Sequence, residues 1–399
     1  MRTLCGSRSV QNSFMSVYTQ RNLKPSICFV ALNAYNVISS QNTLEHTGGA
    51  EVQQLRIAGW LVYKGYSVSF VTLDHGQPDD INIRGIKIYK AYAKEDGIRG
   101  LRFVYPRWSG LWSAMARADA DVYYQRCAGN ETGQVALWCY LHRRRFIFAA
   151  ASDPDCESSL CALKSWREKA LYGIGLKLAN VVIVQTTNQQ NLMWQNMRID
   201  TVLVRNCGWN IATGSSCEQP PNIAIGPIHV LWVGRISEEK RFEWLLDVAE
   251  KCPEITFDVV GAPNTTCGYA SLLTKRATAI PNVKMHGQIP YGEMVGYYQR
   301  CSVLCCTSAY EGFPNTFLEA CSLGMPIVST FDPDDVIVSN GLGLVAQDVE
   351  GIVACLKKLI QSAEMWSKAS KVAKQYYLDN HTPDKCLPKL ERLLLRVSR

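Results

Sequence analysis

Short runs that are apolar at every position alternate with longer stretches of helical spacing along most of this chain. Ser26–Leu32 is the first run, after which Val52, Leu55, Ala58 and Leu61 or Val62 recur at helical spacing up to Gly65. Tyr66–Val71, Ile86–Tyr89, Val122–Arg126, Arg145–Ala149, Val181–Thr187 and Val202–Val204 continue the strand series. Helical material lies between them around 108–118 and at Gly133–Arg143, Leu171–Leu178 and Gln189–Met197. Such runs suit strands buried on both faces, and strand-then-helix alternation predicts parallel sheets with right-handed crossovers.

The pattern breaks at Thr213–Pro227, a Gly-, Pro- and Ser-rich stretch without periodicity that reads as a linker. It restarts at His229–Val233, with further strands at Ile255–Val260, Val283–His286, Ser302–Cys306, Pro326–Thr330 and Gly343–Ala346. Helices are expected between them at Phe242–Glu250, Tyr269–Thr278, Gly292–Arg300, Thr316–Leu323 and Glu350–Gln361. The expected organisation is a flexible extension over 1–24, a first domain over 25–212, the linker 213–227, a second domain over 228–375 and a terminal helical segment over 376–399. Both domains read as Rossmann-like, doubly wound α/β units facing a cleft. No repeat appears beyond this duplication of architecture.

Composition narrows the picture. The 399 residues suffice for two cores, and no segment reaches the ~20 continuous apolar residues of a membrane helix. Residues 1–24 hold Arg2, Arg8 and Arg21 without an apolar run, so they read as a frayed extension or an arginine-rich organellar leader rather than a secretory signal. Sixteen dispersed cysteines without a Cys-x-x-Cys point to buried thiols in a reducing compartment. The net charge of +7 gathers partly at Arg143-Arg144-Arg145, with Lys164, Arg167 and Lys169 nearby in sequence. Such a patch suits an anionic membrane surface or an acidic acceptor, or simply a solvated face. Basic residues interleaved with base-stacking aromatics are not evident, which argues against nucleic acid.

Two stretches carry the chemistry. In the first, the strand Ser302–Cys306 runs into Ser308–Ala320 (SAYEGFPNTFLEA), whose helical part ends at Gly324. A strand end leading into a helix N-terminus suits a phosphate, and Glu311 and Glu319, with seven residues between them, can each take paired hydroxyls of a sugar or ribose. In the second, Gly234-Arg235-Ile236-Ser237-Glu238-Glu239-Lys240 follows the His229–Val233 strand. Cations at a helix start oppose the macrodipole, so Arg235 and Lys240 point to an anionic ligand such as a diphosphate. The blander reading is a surface loop with Ser237 as N-cap. Gly48-Gly49, at a loop-to-helix junction in the first domain, lets backbone N–H groups approach a ligand closely.

The block Glu-Gly-Phe-Pro-Asn-Thr-x-Leu-Glu-Ala, with its Glu-x7-Glu, resembles the signature of retaining glycosyltransferases of family 4, which have the GT-B fold. Gly48-Gly49-Ala50-Glu51 and the Gly234-Arg235…Lys240 pattern are similar to that family's donor loops. The resemblance implies sugar transfer from a nucleotide-diphosphate sugar to a hydroxyl acceptor such as a glycan, a lipid-linked molecule or a polysaccharide precursor. It puts Glu311 at the donor sugar, Glu319 on the ribose, Gly312, Phe313, Pro314, Asn315 and Thr316 against diphosphate and sugar, and Arg235 and Lys240 on the departing diphosphate. Gly48, Gly49 and Gly234 complete the donor site. It also implies that Gln185-Thr186 and Asn206 lie where the domains meet, and that the terminal helix crosses back onto the first domain. The acceptor side falls to His46, Arg126 and Asp153. Many relatives have a histidine near this last loop, where the chain has Ser152 and Asp153.

The resemblance further implies same-face attack, with the leaving phosphate accepting the acceptor's proton. Asp-x-Asp occurs at Asp119/Asp121, Asp153/Asp155 and Asp332/Asp334, but outside the cationic and Glu-x7-Glu loops, so transfer without a metal or other cofactor is expected. The expected location is cytoplasmic, or peripheral at the inner face of a membrane. Two other readings belong to the same fold: a nucleotide-sugar epimerase, which turns over without an acceptor, and a non-catalytic binding subunit.

Overall fold

The structure is a computed structural model that describes residues 24–39, 48–98, 100–160, 163, 165–208, 223, 227–263 and 268–399. His46, almost all of the expected extension and most of the expected linker lie outside the described residues. The first domain runs β1 (Ile27–Val30), α1 (Tyr35–Ser39), α2 (Gly49–Tyr63), β2 (Val68–Thr72), β3 (Ile81–Ile83), β4 (Ile86–Lys90), α3 (Ser109–Ala118) and β5 (Val122–Arg126). It continues with α4 (Asn130–Leu141), β6 (Arg145–Ala149), α5 (Trp166–Leu178), β7 (Val181–Val184), α6 (Thr187–Met197) and β8 (Val202–Leu203). Its eight strands are ordered β3-β4-β2-β1-β5-β6-β7-β8.

One pair departs from the expected parallel sheet: β3 runs antiparallel to β4 at the edge. Arg84 and Gly85 both have positive φ (53° and 84°), which a two-residue hairpin turn with the right twist requires. The alternation Ile81-Asn82-Ile83 and Ile86-Lys87-Ile88 was the available signal for a half-exposed hairpin. Two helix limits also shift. Thr186 caps α6 through its hydroxyl, so the strand before it stops at Val184. The helix expected to end at Arg143 ends at Leu141, because Arg143 turns left-handed.

The second domain comprises β9 (His229–Val233), α7 (Phe242–Lys251), β10 (Thr256–Val260), α8 (Gly268–Ala279), β11 (Val283–Gly287), α9 (Met294–Arg300) and β12 (Val303–Cys306). There follow α10 (Asn315–Leu323), β13 (Ile327–Ser329), α11 (Val336–Asn340), β14 (Gly343–Val345), α12 (Val349–Ile360), α13 (Ala363–Asn380) and α14 (Pro383–Val397). Its six strands are all parallel, in the order β11-β10-β9-β12-β13-β14. The order reverses between β9 and β12, and in the first sheet between β1 and β5. Ligands of open α/β sheets bind outside the carboxyl ends at such points, because the adjacent loops diverge to opposite faces and leave a crevice.

Each sheet is covered on both faces. In the first domain one apolar cluster joins α2 to the sheet and a second joins α3, α4 and α5 to the other side. The expected boundary at 375/376 falls inside α13, which runs unbroken to Asn380 and packs on α10 of the second domain. The chain changes domain at His381–Thr382, and α14 then adds Cys386, Leu387, Leu390, Leu393 and Leu394 to the first domain's core. Tyr66 donates to Glu391 at 2.9 Å beside them. Among the described residues no helix is long and apolar enough to cross a membrane, and the twelve described cysteines are free thiols.

Candidate functional site

The loops after β9 and β12 flank the switch point of the second sheet and are stitched together. The Trp232 indole donates to the Thr307 hydroxyl at 3.0 Å, Thr307 donates to the Lys240 carbonyl at 2.6 Å, and the Ala309 amide donates to the Glu239 carbonyl at 2.8 Å. Glu238–Lys240 forms a single tight turn, and Arg241, with φ of 46°, redirects the chain into α7. These constraints aim the Lys240 ammonium at the Glu311 carboxylate, which also accepts from Ser308 at 2.7 Å. Burial alone would lower the Lys240 pKa, but Glu311 outweighs it and holds the ammonium above its ordinary value. Gly234 lies under the Trp232 ring, which a β-carbon would meet at 3.3 Å. Arg235 points outward, 57% exposed, with Glu239 at 3.7 Å.

Glu319 sits one turn into α10 and is buried. One oxygen accepts from Arg56 at 2.8 Å and from Tyr291 at 3.2 Å, and the other accepts from Tyr298 at 2.7 Å. Arg56 belongs to α2 of the first domain and also donates to the Cys207 carbonyl at 3.2 Å. Three donors around one carboxylate compensate its desolvation, and the ion pair crosses the domain boundary. Beside it, Gln53 donates to the Asn315 side chain at 2.7 Å, and Asn315 donates to the Gly49 carbonyl at 2.8 Å. The Gly48-Gly49 start of α2 is thereby docked on the start of α10, where a β-carbon on Gly49 would lie 3.1 Å from the Asn315 amide. Pro314 precedes α10 in an extended conformation and Thr316 is its half-buried second residue.

The backbone between the two glutamates faces the first domain. The Asp153 amide donates to the Glu311 carbonyl at 3.1 Å, and the Phe313 amide donates to Gln185 at 3.1 Å. Asn206 donates to the Phe313 carbonyl at 3.1 Å and accepts from the buried Arg126 at 2.9 Å. A β-carbon on Gly312 would lie 2.4 Å from the Ala151 carbonyl oxygen, so only glycine permits this approach. The Phe313 ring packs on His381, centroids 4.7 Å apart, while His381 bonds the Asn206 carbonyl at 2.8 Å. Burial pushes the His381 imidazole down to about 4. Asp153 accepts from Asn188 and Gln189, yet burial raises its carboxyl to about 6.

The structure therefore gathers Gly48, Gly49, Lys240, Glu311, Gly312, Phe313, Asn315 and Glu319 along one interdomain seam. Arg126 and Asp153 lie on its first-domain side, where they position the seam. Phe313 has both backbone groups engaged with the first domain, which removes them from a diphosphate in this conformation. A cavity of about 540 Å³ opens beside Asp153, between Thr186–Asn188 and Phe331–Asp335. The Asp-x-Asp pairs serve structure: Arg144 pairs with Asp119 and Asp121, Asp155 accepts from the Ala151 amide, and Asp334 of the second domain accepts from the first two amides of α6 in the first. Among the described residues no group of three or more metal-ligating side chains is placed to hold an ion.

Sequence reading missed Arg56, Gln53, Tyr291, Tyr298 and His381. Helical spacing marked Val52, Leu55, Ala58 and Leu61 as the buried stripe of α2, but Gln53, Gln54 and Arg56 are buried as well and Leu55 only partly. Polar residues at i and i+3 on an otherwise apolar helix were the available signal that α2 has a second buried face.

Residues 227–362, within the second domain, match the family described as Glycosyl transferases group 1. A 99-residue stretch is 31% identical to the UDP-N-acetylglucosamine–peptide N-acetylglucosaminyltransferase GtfA subunit of Streptococcus parasanguinis, covering 24% of this chain and 19% of that protein. The match thus spans well under two thirds of the relative's length. Solved structures resemble nearly the whole chain. Sucrose-phosphate synthase from Thermosynechococcus elongatus aligns with a TM-score of 0.75 at 16% identity, over 94% of this chain and 99% of that one. Anabaena HepE in complex with UDP and glucose aligns with a TM-score of 0.72 at 16% identity, over 93% and 99%. WaaG, a glycosyltransferase involved in lipopolysaccharide biosynthesis, aligns with a TM-score of 0.63 at 13% identity, over 92% and 99%. At these identities the likeness is one of fold, and the fold is GT-B.

Proposed function

We propose that this chain is a retaining glycosyltransferase of family 4 that moves a sugar from a nucleotide-diphosphate donor to a hydroxyl acceptor in glycan, lipid-linked or polysaccharide biosynthesis. The observation that carries the reading is the convergence of Lys240, Glu311 and the start of α10 at the carboxyl edge of β9 and β12. Cleaving the donor leaves negative charge on the diphosphate, and Lys240, with Arg235 swung inward, stabilises it where it develops. An ammonium has three donors, so Lys240 can keep Glu311 while it binds a phosphate oxygen. Glu311 then orients the sugar hydroxyls and Glu319 the ribose. The acceptor oxygen attacks the anomeric carbon on the face the diphosphate leaves, and its proton passes to the leaving phosphate oxygen. No metal enters this scheme; loss of activity to a chelator with rescue by magnesium would refute that part.

Ribose binding at Glu319 has to displace one of its present donors, and Arg56, coming from the other domain, is the one that can withdraw. Donor binding and the separation of the domains are coupled in this reading. Uridine-diphosphate sugars are the first donors to try, given the HepE complex and the name of the GtfA relative. A donor that binds only the folded protein raises its melting temperature, which identifies the nucleotide sugar. The purified protein should then transfer sugar to an added acceptor, or slowly hydrolyse the donor. Conversion of the donor to its epimer without acceptor, or binding with neither transfer nor hydrolysis, would replace the proposal by an epimerase or a binding subunit.

A further inference from the structure

We propose that Tyr298 is the positioning residue that lets Glu319 read both hydroxyls of a ribose, by fixing the plane of its carboxylate from beneath. That role rests on the reading that Glu319 takes the nucleotide's ribose. A carboxylate has about four acceptor positions, shared equally between its oxygens. In Glu319 one oxygen accepts from Arg56 at 2.8 Å and from Tyr291 at 3.2 Å. The other, among the described residues, accepts from Tyr298 alone, at 2.7 Å. Arg56 belongs to the first domain, whereas Tyr291 and Tyr298 belong to the second, as Glu319 does. Withdrawing Arg56 therefore leaves a position on each oxygen. The neighbouring 2′ and 3′ hydroxyls of a ribose need a pair of positions on adjacent oxygens, so the count closes with both tyrosines in place.

The terminal torsion of a glutamate is broad, so something has to hold the carboxylate plane once Arg56 leaves. Tyr291 is a poor anchor. It lies in the tight turn Tyr291–Glu293 ahead of α9 and keeps 37% of its surface exposed. Its hydroxyl also accepts from Arg56, so its own partners change with the domain contact. Tyr298 is the opposite. It sits near the end of α9 and is fully buried, its ring packed in the apolar cluster that includes Leu231, Leu304, Phe317 and Leu318. Phe317 and Leu318 precede Glu319 on α10, so ring and carboxylate are fixed to one body. Burial, with Glu319 beside it, pushes the phenol well above its ordinary value, which keeps the hydroxyl a donor throughout the neutral range. Tyr298 touches no ligand itself; it acts through Glu319.

Equilibrium binding of nucleoside diphosphates to the full chain tests this with neither sugar nor acceptor present. The best-bound of uridine, adenosine and guanosine diphosphate is compared with its own 2′-deoxy and 3′-deoxy forms. On the unmodified chain each deoxy form should bind about tenfold more weakly, the worth of a hydrogen bond to a charged group. Tyr298→Phe keeps the ring and removes the donor. Its preference for the ribose form over either deoxy form should fall to about twofold, because the carboxylate no longer offers a position to each hydroxyl. A purely structural tyrosine would lower all three affinities alike and leave the ratios where they were. Unchanged or larger ratios in Tyr298→Phe overturn the proposal. So does a penalty for only one of the deoxy forms on the unmodified chain, a result that needs no variant to fold. If neither deoxy form is weaker, or none of the diphosphates binds, the ribose reading of Glu319 falls first and takes the role of Tyr298 with it.

Discussion

Glu311 and Glu319 belong to one short motif, but the fold gives them opposite surroundings. Glu311 is paired inside its own domain, by Lys240 from the neighbouring loop, and both side chains keep partial contact with solvent (17% and 23% exposed). Glu319 is paired across the domain boundary, by Arg56, with both side chains nearly sealed (6% and 4% exposed). A charge that keeps some water can exchange partners cheaply, whereas a sealed one is costly to leave alone. The first arrangement suits a group that acts during a reaction. The second makes the position of one domain depend on what Glu319 binds.

Breaking the sealed pair gives the largest expected effect. Arg56→Ala or Glu319→Ala should destabilise the protein by about 3–5 kcal/mol, because each leaves a buried charge unpaired. The double change Arg56→Met/Glu319→Leu should cost clearly less than the sum, and urea unfolding of all three variants reads the difference. Glu319→Ala should also weaken nucleotide binding. If Glu319→Ala is as stable as the unmodified chain, the pair is not sealed in solution.

Glu311→Gln should behave the other way round. Its turnover should fall by about 10²–10³ while its stability changes by no more than about 1 kcal/mol and its nucleotide affinity changes little. Equal losses in binding and turnover would place Glu311 among the binding groups alone.

His381 tests the seam between these two poles. It titrates near 4 in the folded protein and near 6.5 when unfolded, so its contribution is present above 6.5 and lost as pH falls toward 4. Between pH 7 and pH 4 the unmodified chain should lose about 3 kcal/mol more than His381→Asn, measured from paired urea midpoints. Gly312→Ala should cost about 1–3 kcal/mol by forcing the loop off Ala151. Asp153 gives the smallest effect and the opposite sign to His381. Its raised carboxyl stabilises below about 4 and loses that contribution as pH rises through 6, so Asp153→Asn should flatten a decline of about 1–2 kcal/mol.

Most of the architecture was legible in the chain because each signal is local. Val122–Arg126, Arg145–Ala149 and His229–Val233 are strands with the expected limits, since apolar runs between helical stretches have few other uses. The edge strand Ile81–Ile83 is absent from the expected series because three residues are too short a run to register, although the Ile86–Tyr89 strand beside it was expected and pairs in parallel with β2. The cationic loop and the two glutamates were legible for a related reason: they lie on loops adjoining neighbouring strands, so the order of the sheet brings Lys240 to Glu311.

The chain alone determined two parallel α/β units, the loops at their carboxyl edges and the residues of the second domain that meet there. Only the tertiary structure decided which partner Glu319 has and that α13 stays packed on the second domain as far as Asn380. The physical reason is range. Strand and helix patterns report contacts within one element or between successive elements, whereas Arg56 meets Glu319 across 263 positions of sequence. The spacing of Gln53 and Arg56 marks a second buried face on α2, but nothing within either segment names the partner that covers it.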